Sequence, residues 1–176
     1  MKVAHLAGRF ARALWPGSPR PEDVVWVEAV LSPAAYSQWK LQPGHDRRHT
    51  IHVARSVEAR LAGTEEAGDT RWLAAALLHD IGKLDARLGV YGRVVATVSG
   101  AAAGKETADA WSERRGFTRR VGLYLRHPEL GAVRIRLAGG PEEAACWAAA
   151  HHDPSTWEVL PIPAPVVSAL AAADDD

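Results

Sequence analysis

The chain has 176 residues, which is enough for one domain with a sizeable core and short for two. Its 21 basic and 21 acidic residues balance, so no overall electrostatic field favours nucleic acid or an anionic membrane surface. The single cysteine, Cys146, excludes an internal disulfide and a CxxC metal site, and no apolar run reaches the roughly 20 residues that cross a bilayer. We therefore expect a soluble, cytoplasmic protein.

The first 18 residues, MKVAHLAGRFARALWPGS, carry apolar side chains at helical spacing. Basic residues are spread through this segment instead of preceding an unbroken hydrophobic stretch, which argues against a secretory signal. The pattern predicts a helix that packs on the core, and a membrane-surface or interaction helix is the alternative.

Helical periodicity continues along the rest of the chain, where alternating strand-like runs are scarce, so the sequence predicts an all-α protein. One helix is expected near 22–31. Ser32 opens the next helix as its N-cap, with Pro33 in the first turn, and Pro43-Gly44 closes that helix. A longer helix should then cover about 46–61.

An acidic loop follows, and its last residue, Asp69, should cap a helix over about 70–84. This helix ends in the stretch LLHDIGKLD, residues 77–85, which places His79 and Asp80 side by side after an apolar run.

Further helical segments are expected near 89–98, 103–115, 117–126, 129–138 and 141–152, with breaks at Gly100, Gly116, Pro128 and Gly139-Gly140. The first of these segments is rich enough in β-branched residues to suit a strand as well. The four prolines of 153–165 predict a loop and not a helix, and a last short helix should follow at 166–174.

The His79-Asp80 pair suggests metal binding because of its apolar context. Alone, the dipeptide is a weak signal, since a histidine beside an aspartate is usually a solvated helix end. Here the run WLAAALL carries the pair toward the core, and burying a carboxylate is costly unless a cation compensates it. Aspartate oxygen and imidazole nitrogen together suit Mn, Fe, Zn or similar ions.

Further residues of metal-ligand type occur on other predicted helices. They lie where a helix begins or ends, or one turn apart on one helical face, and a dinuclear site needs such donors from distant segments. They are His49 and His52 in RRHTIHVARSV, His127 before Pro128, His151 and His152 before a proline-rich loop, and Asp174 after an alanine-rich run.

With these residues located, the chain resembles the HD-domain metal-dependent phosphohydrolase superfamily, whose pattern is H…HD…H…H(H)…D. The resemblance covers about 45–176 and is carried by HTIHVA, LLHDIGK and HPELGA. The paired histidines make the chain similar to the dinuclear branch, which includes HD-GYP phosphodiesterases, ribonuclease Y and mixed-valent di-iron oxygenases. The chain has HHDPSTW where HD-GYP proteins have their GYP signature, so hydrolysis of cyclic di-GMP is not expected.

The resemblance implies a single-domain HD-type helical bundle, with 1–44 as an N-terminal helical extension packed on the core and 45–176 as the metal-binding domain. It also implies two divalent metal ions, Mn, Fe, Mg or Zn. One would be bound by His49, His79, Asp80 and Asp174. The other would share Asp80 as a bridge and use His127 and His151, with His152 as a further candidate.

The same resemblance gives Asp80 and Lys83 catalytic roles, the lysine by contacting phosphoryl oxygens. A solvated lysine at a helix C-terminus is the alternative for Lys83. Arg48 and Arg126 are candidate substrate-binding residues that could gather around a phosphate, or else lie on solvated helix faces. His45 and His52 are placed outside the ligand set.

The expected function is hydrolysis of a nucleotide or another small phosphate mono- or diester, with a metal-bound hydroxide as nucleophile. A di-iron oxygenase with the same ligands and a non-catalytic metal- or nucleotide-binding regulatory module are the alternatives. The expected partner is a small phosphate ester, with no DNA and no membrane, and oligomeric state stays open. Substrate specificity is expected to lie in 84–116.

Overall fold

The structure is a computed structural model that describes residues 17–102 and 105–175. Within those ranges every regular element is helical and no strand occurs, so the predicted all-α, single-domain bundle is confirmed. The helix predicted within residues 1–18 falls almost entirely outside the described residues. None of the helices in the described ranges is long and apolar enough to cross a membrane.

The first four helices begin within two residues of the predicted positions. Their caps follow the sequence signals: the Ser32 side chain accepts a hydrogen bond from the backbone N–H of Ala35 at 3.3 Å, and Asp69 accepts one from Arg71 at 2.9 Å. The helices are α1 (Pro21–Val30), α2 (Pro33–Lys40), α3 (Gly44–Leu61) and α4 (Thr70–Leu78).

The remaining elements are shorter and follow one another closely. The region 90–98, which also suited a strand, is helical. These elements are α5 (Lys83–Ala86), α6 (Val90–Ala102), α7 (Lys105–Ser112), α8 (Gly116–Leu125), α9 (His127–Leu137), α10 (Glu142–Ala150), a 3-10 helix (Pro154–Val159) and α11 (Ala164–Asp175).

Three details of the sequence prediction were wrong. Gly100 does not break a helix but lies inside α6, where it lets the Leu125 side chain of α8 approach closely. Pro128 occupies the first turn of α9, a position that needs no backbone N–H, so it starts this helix instead of interrupting one. Residues Pro154–Val159, predicted as a loop, form a 3-10 helix whose N-cap is Asp153.

The helix predicted over 70–84 is also divided. Its regular hydrogen bonds end at Leu78, and the next bonds join residues three apart, from the N–H of Ile81 to the oxygen of Leu78 and from that of Lys83 to Asp80. A tight turn therefore carries His79 and Asp80 before the chain continues as α5.

One large hydrophobic core joins most of the helices. Val27 of α1 and Trp39 of α2 are buried in it together with Leu77, Trp147 and Leu170. A smaller cluster of Ala86, Leu88, Ala96 and Val121 packs α5, α6 and α8 together. The predicted division of the chain at residue 44 stays a prediction.

Gly82 determines how closely the turn after Asp80 packs on α9. A Cβ atom at this position would lie 2.0 Å from the carbonyl oxygen of His127 and 2.5 Å from the backbone nitrogen of Gly131. Both are backbone atoms that a rotamer change cannot move away. The glycine of the HDIGK stretch thus brings the start of α9, and with it His127, against the turn that carries Asp80.

We predict that Gly82→Ala lowers the free energy of unfolding by about 1–3 kcal/mol or more, because α9 must shift outward to admit the methyl group. Gly82 has a φ of −65°, which alanine adopts readily, so the loss would come from the clash alone. Urea denaturation measures the change. Gly89→Ala is the matched control, since nothing lies within 4 Å of a Cβ there, and an equal loss in both variants would contradict this role.

Candidate metal centre

The predicted metal ligands converge on one cluster, although they come from five separate parts of the chain. His49 projects from α3, His79 and Asp80 lie in the turn after α4, and His127 is the first residue of α9. The other contributions come from the end of α10, with His151 and His152, and from the last turn of α11, with Asp174.

The Asp80 carboxylate lies at the centre of this cluster, with its two oxygens facing different sides. Its Oδ2 atom is 3.4 Å from Nε2 of His79 and 4.0 Å from Nε2 of His49. Its Oδ1 atom is 3.4 Å from Nε2 of His127 and 3.7 Å from Nε2 of His151. The two oxygens of one carboxylate therefore face two different pairs of imidazoles, while His79 and His151 are also close enough to share a ligand set with Asp80.

Asp174 completes the group on the Oδ2 side of Asp80. Its Oδ1 atom lies 3.1 Å from Nε2 of His49 and 3.6 Å from Nε2 of His79. His152 belongs to the opposite side, where its ring centroid is 3.9 Å from that of His151 and 5.1 Å from that of His127.

Several sets of three side chains in this cluster could hold a metal ion. In each set the ligand atoms lie within 4.8 Å of one another. The sets are His49, His79 and Asp174; His79, Asp80 and His151; and His127, His151 and His152.

Helix ends fix the tautomers of the three buried imidazoles. In each case Nδ1 lies 2.7–2.8 Å from the carbonyl oxygen of the residue three positions earlier. A carbonyl only accepts hydrogen bonds, so Nδ1 must donate, and the neutral ring then carries its lone pair on Nε2. The donor and acceptor pairs are His79 with Ala76, His127 with Tyr124, and His151 with Ala148.

The inner atoms of the cluster meet the requirements of a cation site. The Nε2 atoms of His79, His127 and His151 and Oδ1 of Asp80 are buried, and none has a hydrogen-bond partner among the described residues. Unpartnered buried polar atoms are costly, and a set of lone pairs directed at one carboxylate is what a bound cation would satisfy. The residues present therefore fit a metal ion.

The ends of the helices add favourable electrostatics. Helices α4 and α10 end immediately before His79 and His151, and α8 ends two residues before His127. The carboxyl end of a helix carries partial negative charge, so helix ends that meet at one point favour a cation there.

The pKa values of two histidines differ in direction. Burial would lower the pKa of His79, but the carboxylates of Asp80 and Asp174 outweigh it and raise this pKa to about 10. Burial lowers the pKa of His127 to about 4, and the Lys83 charge also favours its neutral form. Without metal at neutral pH, the Nε2 atom of His79 therefore carries a proton, whereas the Nε2 atom of His127 has a free lone pair.

The two carboxylates stay ionised despite their burial. Burial raises the pKa of Asp80, but Lys83 and His79 hold it well below its ordinary value. The pKa of Asp174 is likewise lowered, because the charge on His79 and the hydrogen bond from His49 outweigh burial. Both groups can thus bind a cation without first losing a proton.

Lys83, predicted to contact substrate, lies against the metal cluster. Its ammonium group donates a hydrogen bond to Oδ2 of Asp80, and its side chain is 11% exposed. The alternative of a solvated lysine at a helix C-terminus is wrong, because Lys83 begins α5 and is largely buried.

The two arginines predicted to bind substrate make contacts elsewhere. Arg48 donates a hydrogen bond to the carbonyl of Gly17 and lines an outer groove of α3 together with His52. Arg126 forms an ion pair with Asp109 at 2.9 Å and donates to the hydroxyl of Ser112 at 3.0 Å. Their role in substrate binding stays a prediction that these contacts do not support.

Sequence reasoning missed an ion pair beside the cluster. Arg93 of α6 binds the buried Asp46 of α3 through two hydrogen bonds of 2.6 and 2.7 Å. Because 47 positions separate the two residues, no local spacing reveals the pair. The sequence did offer one clue to Tyr124. The residue three positions before a histidine at a helix end supplies the carbonyl that orients the histidine ring, and Tyr124 stands three positions before His127.

Comparisons of the chain with protein-family models, with curated proteins and with solved structures found no match. The HD-domain resemblance therefore stays a prediction that depends on the motif residues and their placement.

We predict that metal binding at pH 7 releases about one proton, because a cation must displace the proton that Asp80 and Asp174 hold on His79. Since that pKa is raised, affinity should weaken as pH falls, by about tenfold per unit for this one proton. Calorimetry with Mn in two buffers of different ionisation enthalpy counts the proton. His79→Gln should lose it and the exposed His52→Gln should keep it; unchanged release in His79→Gln would contradict the assignment.

Proposed function

We propose that the protein is a metal-dependent phosphohydrolase that binds two divalent cations and acts on a nucleotide or another small phosphate ester. The observation that carries this proposal is the arrangement of the Asp80 carboxylate: one oxygen faces His49 and His79, which also contact Asp174, and the other faces His127 and His151. A carboxylate with ligand sets on both sides suits a bridge between two cations.

The charge of such a centre favours an anionic substrate. Two divalent cations would bring four positive charges against the two carboxylates of Asp80 and Asp174. Lys83 adds a further positive charge beside Asp80. A phosphate ester brings the negative charge that this arrangement lacks, and its oxygens are hard ligands that suit Mn or Mg.

Each residue has a defined task in this proposal. When bound, the cations would supply an activated water nucleophile and positive charge for phosphoryl oxygens. The imidazoles of His79, His127 and His151 keep their lone pairs directed inward because helix carbonyls hold their Nδ1 protons. Lys83 would contact the oxygens of the bound phosphoryl group as a compact cation.

The exposure of the ligands indicates where substrate would enter. The His79 side chain is 1% exposed, whereas that of His49 is 28% exposed and His152 is exposed at the surface. The cluster is thus more accessible at His49 and His152 than at His79. A small ester could reach the metal ligands at these two more accessible histidines.

The function is tested with the purified full chain supplied with Mn or Mg and a panel of nucleotides and phosphate mono- and diesters. We expect metal-dependent release of phosphate or of the alcohol from at least one class. Electron-spin resonance of protein purified with iron provides the contrasting measurement. A mixed-valent iron signal without hydrolysis of any ester would replace the proposal with oxygenase chemistry, and absence of both would replace it with a binding role.

We predict that His49→Ala loses one of the two bound metal equivalents and at least about 100-fold in activity, because His49 contributes to only one of the ligand sets. His52→Ala is the matched control, since this histidine lies one turn further along the same helix and lines the outer groove. Metal analysis and ester hydrolysis measure the two effects. Equal metal loss in both variants would contradict a specific role for His49.

A further inference from the structure

Four side chains outside the metal-ligand set lie near Asp80 and its neighbours. They come from different elements, and three of them carry hydrogen-bond donors. These are Asp46 of α3, Lys83 of α5, Arg93 of α6 and Tyr124 of α8.

Arg93 is held firmly by the two hydrogen bonds to Asp46 and by a third, from its Nε to the carbonyl of Leu88 at 3.1 Å. A guanidinium has five N–H donors, so two remain beyond these three. Arg93 is 14% exposed at its side chain, which makes this a fixed and largely buried cation.

Tyr124 packs against the cluster through His127. Its ring centroid is 5.5 Å from that of His127, and its carbonyl accepts the Nδ1 hydrogen of the same histidine. The phenol also lies close enough to Lys83 and Arg93 to act electrostatically on both. Tyr124 is therefore a neighbour of one metal-ligand candidate, His127, and of the two cations Lys83 and Arg93.

The charges of Asp46, Asp80, Lys83 and Arg93 balance only while Asp80 holds no metal ion. Lys83 is paired with Asp80 and Arg93 with Asp46, which gives two cations for two carboxylates. If metal ions take up the charge of Asp80, Lys83 loses its counterion and the region gains one unpaired positive charge. A buried unpaired cation is costly, so an anion should be drawn to it.

We propose that Lys83, Arg93 and Tyr124 form an anion-binding wall that holds the oxygens of the substrate's phosphoryl group beside the metal centre. This inference rests on the proposed function and assigns substrate contacts to Arg93 and Tyr124 in place of Arg48 and Arg126. Lys83 and Tyr124 donate directly to the anion, and Asp46 positions Arg93 for the same purpose.

The wall makes anion binding and metal binding depend on each other. Phosphate should bind weakly to the metal-free protein, because Lys83 is then neutralised by Asp80. Mn should strengthen phosphate binding, and phosphate should strengthen Mn binding by the same factor, since such coupling is reciprocal.

Calorimetric titration of the full-length, Mn-loaded protein with inorganic phosphate tests the wall. Tyr124→Phe keeps the ring beside His127 and the carbonyl that orients it, and it removes only the hydroxyl. We expect phosphate affinity to fall about fivefold to tenfold while Mn affinity measured without phosphate stays within about twofold. Tyr91→Phe, at a tyrosine that is 74% exposed on α6, is the matched control and should bind phosphate like the original protein.

Arg93→Lys gives a second, independent variant, because lysine keeps the charge but cannot bind Asp46 with two parallel hydrogen bonds. It should also weaken phosphate binding and should lower the coupling between phosphate and Mn. If this variant does not fold, Tyr124→Phe still decides the question.

Three results would overturn the wall. The first is that the Mn-loaded original protein does not bind phosphate, and the second is that Tyr124→Phe leaves phosphate affinity unchanged. The third is that Tyr124→Phe loses Mn affinity together with phosphate affinity, which would mean that Tyr124 only supports His127. The proposed function is judged separately by ester hydrolysis. If phosphate binding depends on Tyr124 but no ester is hydrolysed, the anion-binding wall is supported and the proposed enzymatic function is rejected. If an ester is hydrolysed but Tyr124→Phe leaves phosphate affinity unchanged, the function is supported and the wall is rejected.

Discussion

The buried carboxylate of Asp80 is the constraint on which the arrangement of this molecule depends. It is 3% exposed and lies among four imidazoles and one ammonium group. An ionised carboxylate in such a place needs compensating charge, and in the described structure Lys83 and the protonated form of His79 provide it. Cations could provide it instead, which is why the same residues fit a metal centre.

The architecture brings helix ends to this carboxylate, and their chemistry suits the task. The carbonyl oxygens in the last turn of a helix can accept hydrogen bonds from side chains. Histidines placed just after α4, α8 and α10 donate their Nδ1 hydrogens to such carbonyls, and this leaves Nε2 directed at Asp80. Gly82 then allows α9 to approach without a clash. Backbone capping, ring orientation and close packing therefore act on the same few atoms.

The two sides of the carboxylate are not equivalent. On one side, Asp174 and a histidine of raised pKa form a charged group in which a cation must compete with a proton. On the other side, His127 is neutral because burial lowers its pKa. Beyond both, the Asp46–Arg93 ion pair joins α3 to α6 and gives the region around Lys83 a second fixed cation. Charge balance thus links the cluster to its surroundings.

The sequence by itself determined the helical class, the caps at Ser32 and Asp69, and the ligand types at helix ends, because these follow from periodicity and local hydrogen bonding. It could not determine that Arg93 meets Asp46 or that Arg126 pairs with Asp109, since partners distant in sequence are chosen by the packing of helices. Nor could local propensity foresee the tight turn at His79. Only the tertiary structure decided these features, because they depend on distances between segments that no sequence spacing encodes.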